Sequence, residues 1–142
     1  YEGPSSDPEA PTSAESPGDF VAFALGVLAT FSRTHHQLGN TLIEFADNEN
    51  ARVESYFTAF HRMRPRGDPL AAENAYDTEM DYFVGGRYID RFALRNGEWK
   101  IIERVGMTDW TRVEPPASQG FGDIDPRTVG HRAPDDFICQ SD

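Results

Sequence analysis

Asn96-Gly97 stands between two runs rich in β-branched and aromatic residues, Tyr82 to Arg95 and Glu98 to Val113. A two-residue turn that matches strand twist needs positive φ at both central positions, and Asn-Gly supplies it at the least steric cost. The dipeptide predicts an antiparallel hairpin and its register: Arg95 opposite Glu98, Leu94 opposite Trp99, Phe92 opposite Ile101, Asp90 opposite Glu103 and Tyr88 opposite Val105. Residues 88, 90, 92 and 94 then share a face with 99, 101, 103 and 105. Two carboxylates, Asp90 and Glu103, land among apolar neighbours. Either that face opens into a polar pocket, or the two acids pair with arginines such as Arg91 at a wet edge.

Upstream, the runs Thr34 to Phe45 and Ala51 to His61 flank the polar stretch Asp47-Asn48-Glu49-Asn50, which predicts a second antiparallel pair. Ser16-Pro17-Gly18-Asp19 is a helix start, with Ser at the N-cap, Pro at the first helical position and an acid near the positive helix end. Phe20, Phe23, Ala24, Val27, Leu28 and Phe31 follow at helical spacing. A helix so apolar around its circumference is expected on the concave face of the sheet with little of it wet. Asp68 to Glu79 is expected to be loop with at most a helical turn.

Charge divides the chain. Residues 1–19 carry five acids, no base and four prolines, and residues 114–142 carry six acids against Arg127 and Arg132. Neither end can supply a core. The expected organisation is an acidic, Pro-rich arm over 1–15, a folded domain over 16–113 and an acidic Pro/Gly-rich arm over 114–142. Thirteen Lys+Arg against 24 Asp+Glu leave a net charge of −11, which repels phosphate backbones and anionic lipid, so nucleic acid and membrane are not expected partners. No run approaches the roughly 20 apolar residues that span a bilayer. A lone cysteine, Cys139, builds neither a disulfide framework nor a thiolate zinc site, and a reducing, cytoplasmic setting is expected. The chain begins at Tyr1 rather than Met, which implies processing or a start partway through a longer product.

The residues that could do chemistry are few. Adjacent His35 and His36 on one strand point to opposite faces and cannot share a metal ion, and no other ligand spacing is present. Gly85-Gly86 opens a strand rather than a helix, so it is no phosphate loop. No nucleotide, metal or other cofactor is expected. What remains is imidazole, which titrates near neutral pH. Strict alternation puts His36 on a face with Leu38, Asn40 and Leu42, and His61 on a face with Val53, Phe57 and Ala59. If these are one side of the sheet, two imidazoles stand together in an apolar concavity; otherwise each is a core histidine bonded to backbone.

Four segments carry a resemblance: Thr34-His35-His36-Gln37-Leu38-Gly39-Asn40, Glu54 through Arg62, Gly86-Arg87-Tyr88-Ile89-Asp90-Arg91-Phe92 and Asn96-Gly97-Glu98-Trp99-Lys100-Ile101. From about Ser16 to Arg112 the chain resembles the SnoaL-like branch of the nuclear transport factor two-like superfamily. The resemblance implies an α+β fold, a cone-shaped barrel of strongly curved mixed or antiparallel sheet packed on helices around an apolar pocket. Members include polyketide cyclases, scytalone dehydratase, bile-acid dehydratases and dehydrochlorinases, besides non-catalytic binding modules. The dehydratase has two pocket histidines on neighbouring strands, the first in a His-x-x-Gly setting. His36-Gln37-Leu38-Gly39 matches that setting, and His61 stands at the second position.

The resemblance also places Tyr88 at a polar pocket position and Arg104 at a basic residue of the last strand; Asp90, Asn40 and Phe57 complete the expected substrate-binding set around catalytic His36 and His61. It implies a cofactor-independent lyase or cyclase acting on an apolar cyclic hydroxy-ketone of polyketide or steroid type. The alternative is a binding or assembly module with the same pocket. A homodimer through the outer sheet face near Tyr56 and Phe60 is expected. The chain departs from the family at its start. Members begin with two helices, the first carrying a Tyr and an Asp of the dehydratase site, and these helices are expected to be missing from a chain that opens Tyr1-Glu2-Gly3.

Overall fold

The computed structural model of the chain describes residues 17–116, 124–131, 133, 135, 136 and 139. Helix α1 (Pro17–Ala29) leads into four strands, β1 (Phe31–Phe45), β2 (Asn50–Met63), β3 (Met80–Arg95) and β4 (Glu98–Glu114), and a 3-10 turn follows at Pro126–Thr128. The strands form one antiparallel sheet in the order β1-β2-β3-β4, each paired with its sequence neighbour. The α+β class and the curved sheet are as the sequence implies, with every pairing antiparallel.

Local chemistry explains the turns. Asn96 and Gly97 have φ of 52° and 79°, the left-handed pair that the hairpin needs. At the other hairpin the Asp47 carboxylate accepts the Glu49 backbone N–H at 2.7 Å and the Asn50 side-chain amide at 3.0 Å, folding the turn back on itself.

The sheet curls toward one face. Phe45 and Trp99 belong to the two outermost strands, which a flat sheet would hold about 14 Å apart at about 4.8 Å per strand spacing. Their ring centroids are 5.7 Å apart. The small side chain of Ala51, opposite Phe45, leaves room for that approach. On this concave side β2 buries Ala51, Val53, Ser55, Ala59 and His61, whereas Arg52, Tyr56 and Thr58 on the convex side are exposed.

Three expectations are corrected here. Phe31 begins β1 rather than ending the helix, because α1 stops at Ala29 and the Thr30 hydroxyl and amide both donate to the Val27 carbonyl. Helix α1 meets the sheet mainly at β1 and stays largely wet, with Val21, Phe23, Leu25 and Val27 exposed and Ala24 and Leu28 half-buried. The Ser16 N-cap lies outside the described residues.

The third correction concerns register. Arg95, Leu94 and Phe92 face Glu98, Trp99 and Ile101 as expected, but Arg91 then faces Glu103 and Asp90 faces Arg104. Ile102 has no counterpart on β3, which makes it a β-bulge. One extra residue exchanges the faces of the residues that follow it, up to a second irregularity at Asp109, so Glu103 leaves the concave side and Arg104 enters. A similar irregularity between Leu38 and Thr41 puts Thr41 and Ile43 on the side of His36 and takes Leu42 off it.

Candidate functional site on the concave face

His36 lies across from Ala59 on β1, and His61 lies across from Thr34 on β2, so the two are diagonal neighbours on one face. Their Nε2 atoms are 2.8 Å apart, a hydrogen bond in which one ring must donate and the other accept. Phe31 packs on His61 at 4.7 Å between centroids, and Tyr82 stacks on it from β3 at 5.7 Å. His61 is only 6% exposed.

Burial sets the electrostatics of this pair. Desolvation first, and the neighbouring His36 second, lower the pKa of His61 to about 4, against a weaker upward pull from the Tyr82 backbone. His36 is also lowered, by burial and then by His35. Both rings are therefore neutral at pH 7. Among the described residues the buried Nδ1 of His61 finds no hydrogen-bond partner of sound geometry. Of the two rings His61 is the harder to charge, and the partly exposed His36 is the one able to take up a proton.

Next along the face, Thr41 and Ser55 join hydroxyls at 3.1 Å, and Phe57 stacks on Tyr88 at 4.5 Å with 17° between planes. The Arg104 guanidinium lies 4.2 Å from the centre of the Tyr88 ring, a cation–π contact. Arg104 donates from Nε and Nη2 to the two Asp90 oxygens, each at 2.7 Å. The carboxylate holds the guanidinium pKa above its ordinary range. The Asp90 side chain is 3% exposed and that of Arg104 is 41% exposed, so the pair offers its cationic end to the concave face.

The structure thus gathers the sequence-derived residues into two groups, His36 with His61, and Phe57, Tyr88, Asp90 and Arg104. Asn40 falls within the β1 irregularity, exposed and off the regular alternation. Sequence reasoning passed over Phe31, read as helical, and Tyr82, whose place opposite His61 only the β2–β3 register reveals. It also set Asp90 against Glu103; the adjacent Ile101-Ile102 breaks the alternation there, a mark that the β3–β4 register is needed to interpret as a bulge. Glu103 instead bonds Arg91 at 2.7 Å in an exposed pair.

The convex face is built differently. Arg62 makes a fork to Asp81, Arg87 bridges Glu54 and Asp109, and Arg112 covers Phe83, which packs on Phe60. Tyr56 on this face is exposed. Among the described residues no three His, Cys, Asp or Glu side chains converge as metal ligands would, and no helix is long and apolar enough to cross a membrane.

A family model described as the SnoaL-like domain matches residues 6–105. No curated protein sequence matches the chain. Among solved structures it is similar to the Kfla4162 protein of Kribbella flavida, at 19% identity and a TM-score of 0.53, covering 67% of this chain and 59% of that one. It is similar to a hexachlorocyclohexane dehydrochlorinase (LinA) type 2, at 16% identity and a TM-score of 0.59, covering 76% of this chain and 66% of that one. A candidate scytalone dehydratase from Novosphingobium aromaticivorans aligns at 24% identity and a TM-score of 0.52, covering 80% of this chain and 70% of that one. The chain spans less than two thirds of the length of the first two. At these identities the likeness is one of fold.

Proposed function

The chain belongs to the SnoaL-like domain family, and on that footing we propose that it is a cofactor-independent lyase or cyclase of the dehydratase type, acting on an apolar cyclic hydroxy-ketone. The observation that carries this reading is the 2.8 Å contact between His36 and His61 on a concave face lined by aromatic rings. Two neutral imidazoles sharing one hydrogen bond form a base whose acquired charge is spread over both rings. His36 removes a proton α to the carbonyl, and its Nε2–H or Nδ1–H then protonates the departing hydroxyl. The C–H and C–O bonds break, water leaves, and the pair returns to neutrality.

His61 serves as the fixed hydrogen-bond partner that orients His36, since Phe31 and Tyr82 hold its ring. Names of two structural neighbours, a dehydrochlorinase and a candidate dehydratase, fit an elimination. A second reading, binding without turnover, draws on the buried Nδ1 of His61, for which no described carboxylate provides the usual orienting partner. A homodimer through the convex face around Tyr56, in a cytoplasmic setting, accompanies either reading.

The test is turnover of aromatic and steroidal hydroxy-ketones. General-base catalysis is worth about 10² to 10⁴-fold, so His36→Ala should lower kcat by about that factor. His61→Ala should cost less, and the double variant about as much as His36→Ala alone, because groups acting as a unit are not additive. A double variant as active as wild type on a converted substrate leaves the site as a binding surface.

A further inference from the structure

The concave face has two polar poles. His36 lies across from Ala59, and Asp90, which holds Arg104, lies across from Val53, six residues apart on β2, which is about 20 Å at about 3.3 Å per residue. Between them lie Phe57 and the Tyr88 ring, stacked at 4.5 Å. The floor is low here, since Ala59, Ser55 and Gly86 lie on this face and Gly106 lies opposite Tyr88. At the far end Arg104 is oriented by Asp90 and by the Tyr88 ring.

The charge state of that far pole decides what it can hold. Asp90 accepts from Nε and Nη2 with both oxygens and is sealed at 3% side-chain exposure. Its negative charge cancels that of the guanidinium at contact distance, so an arriving anion meets a dipole and a nearby carboxylate instead of a free cation. The remaining N–H groups of Arg104 still donate, and its 41% exposure keeps them accessible. A neutral oxygen acceptor is what such a pair favours.

We propose that Asp90 and Arg104 form an anchoring subsite for an uncharged carbonyl-type oxygen at one end of a flat, elongated ring system whose other end reaches His36 and His61. This rests on the concave face being the substrate-binding surface. Phe57 and Tyr88 carry the ring system, Arg104 touches its oxygen, and Asp90 acts through Arg104 as a positioning residue that also removes its net charge.

Three fluorescent probes on one ring system test it: 2-acetylanthracene, 2-ethylanthracene and anthracene-2-carboxylate, titrated into the full chain. Wild type should bind the acetyl compound about tenfold to a hundredfold more tightly than the ethyl compound, the range of one hydrogen bond to a charged donor, and more tightly than the carboxylate. Arg104→Gln should level the acetyl and ethyl compounds. Asp90→Asn, which leaves the guanidinium uncompensated, should make the carboxylate the preferred probe. The double variant Asp90→Asn/Arg104→Gln buries no unpaired charge, and it should also show no acetyl preference even where a single variant folds poorly.

Phe57→Ala and Tyr88→Ala separate two kinds of failure. If all three probes bind wild type equally and both alanine variants weaken them, the face binds ligands and the anchoring subsite is refuted. If no probe binds, or binding ignores Phe57 and Tyr88, the concave-face reading itself fails and the subsite with it.

Discussion

Arg104 meets Asp90 through two hydrogen bonds of 2.7 Å because Ile102 is a residue that β3 does not match. Without that bulge, alternation would set Glu103 opposite Asp90 and bury two like charges beside each other. The bulge therefore decides both the electrostatics of the concave face and the polarity of its far pole. Its removal is informative for the same reason.

Arg104→Gln and Arg91→Gln delete chemically identical charges from opposite faces of the same hairpin. The Arg91–Glu103 pair has side-chain exposures of 66% and 52%, and its loss should cost about 0 to 1 kcal/mol. Loss of Arg104 strands the buried Asp90 carboxylate and should cost about 2 to 3 kcal/mol, reduced from a fully buried pair by the openness of the arginine. Urea unfolding of both variants checks this; equal midpoints would mean that water reaches Asp90 freely.

Deletion of Ile102 should restore the simple register and destabilise the hairpin more than Ile102→Ala, which keeps the bulge and trims a half-exposed side chain. The comparison is made by thermal unfolding, with the deletion expected to melt lower. A deletion melting at or above the alanine variant would show that the bulge contributes nothing to the pairing.

Much of this hairpin was legible in the sequence because Asn96-Gly97 has one favourable conformation, and the pairings nearest the turn follow from it. The meeting of His36 with His61 was legible to the same degree, since alternation on two adjacent strands leaves only two relative placements. The bulges were not, because an extra residue is decided by cross-strand partners that a linear pattern does not contain. Ile101-Ile102 and Gly39-Asn40 mark the sites only after the register is known. Phe31 was misread for a different reason: over a few residues it continues the helical stripe, and the chain leaves the helix where Thr30 closes it on Val27. The wetness of α1 was equally hidden, as its apolar stripe is the same whatever it faces.

Three glycines of the last two strands should respond differently to a single methyl group. A Cβ on Gly86 would collide with the Met107 carbonyl and press on Phe57, and one on Gly85 would collide with the Trp110 indole. A Cβ on Gly106 would meet nothing within 4 Å. Gly86→Ala should cost about 1 to 3 kcal/mol because backbone must move, Gly85→Ala somewhat less if the indole can swing aside, and Gly106→Ala about zero. Denaturant midpoints give the order, and a stable Gly86→Ala protein would contradict the close approach of β3 and β4.

His61 should make the fold sensitive to mild acid. Its folded pKa of about 4 lies below the ordinary value of 6.5, so the unfolded chain binds more protons between those limits. Stability is therefore full above about pH 6.5 and declines as pH falls toward 4, by about 3 kcal/mol at most from a shift of that size. The lowered pKa of His36 acts with the same sign. The lowered carboxyl groups Asp47, Asp68 and Asp125 lose their contribution only below the ordinary value of 3.8, outside this window. Phe in place of His61 keeps an aromatic ring between Phe31 and Tyr82 and cannot titrate. The unfolding free energy of His61→Phe should then fall less steeply from pH 7 to 5 than that of the wild type, with His36 supplying the remaining decline; parallel declines in the two proteins would show that the burial of His61 is not what couples this fold to pH.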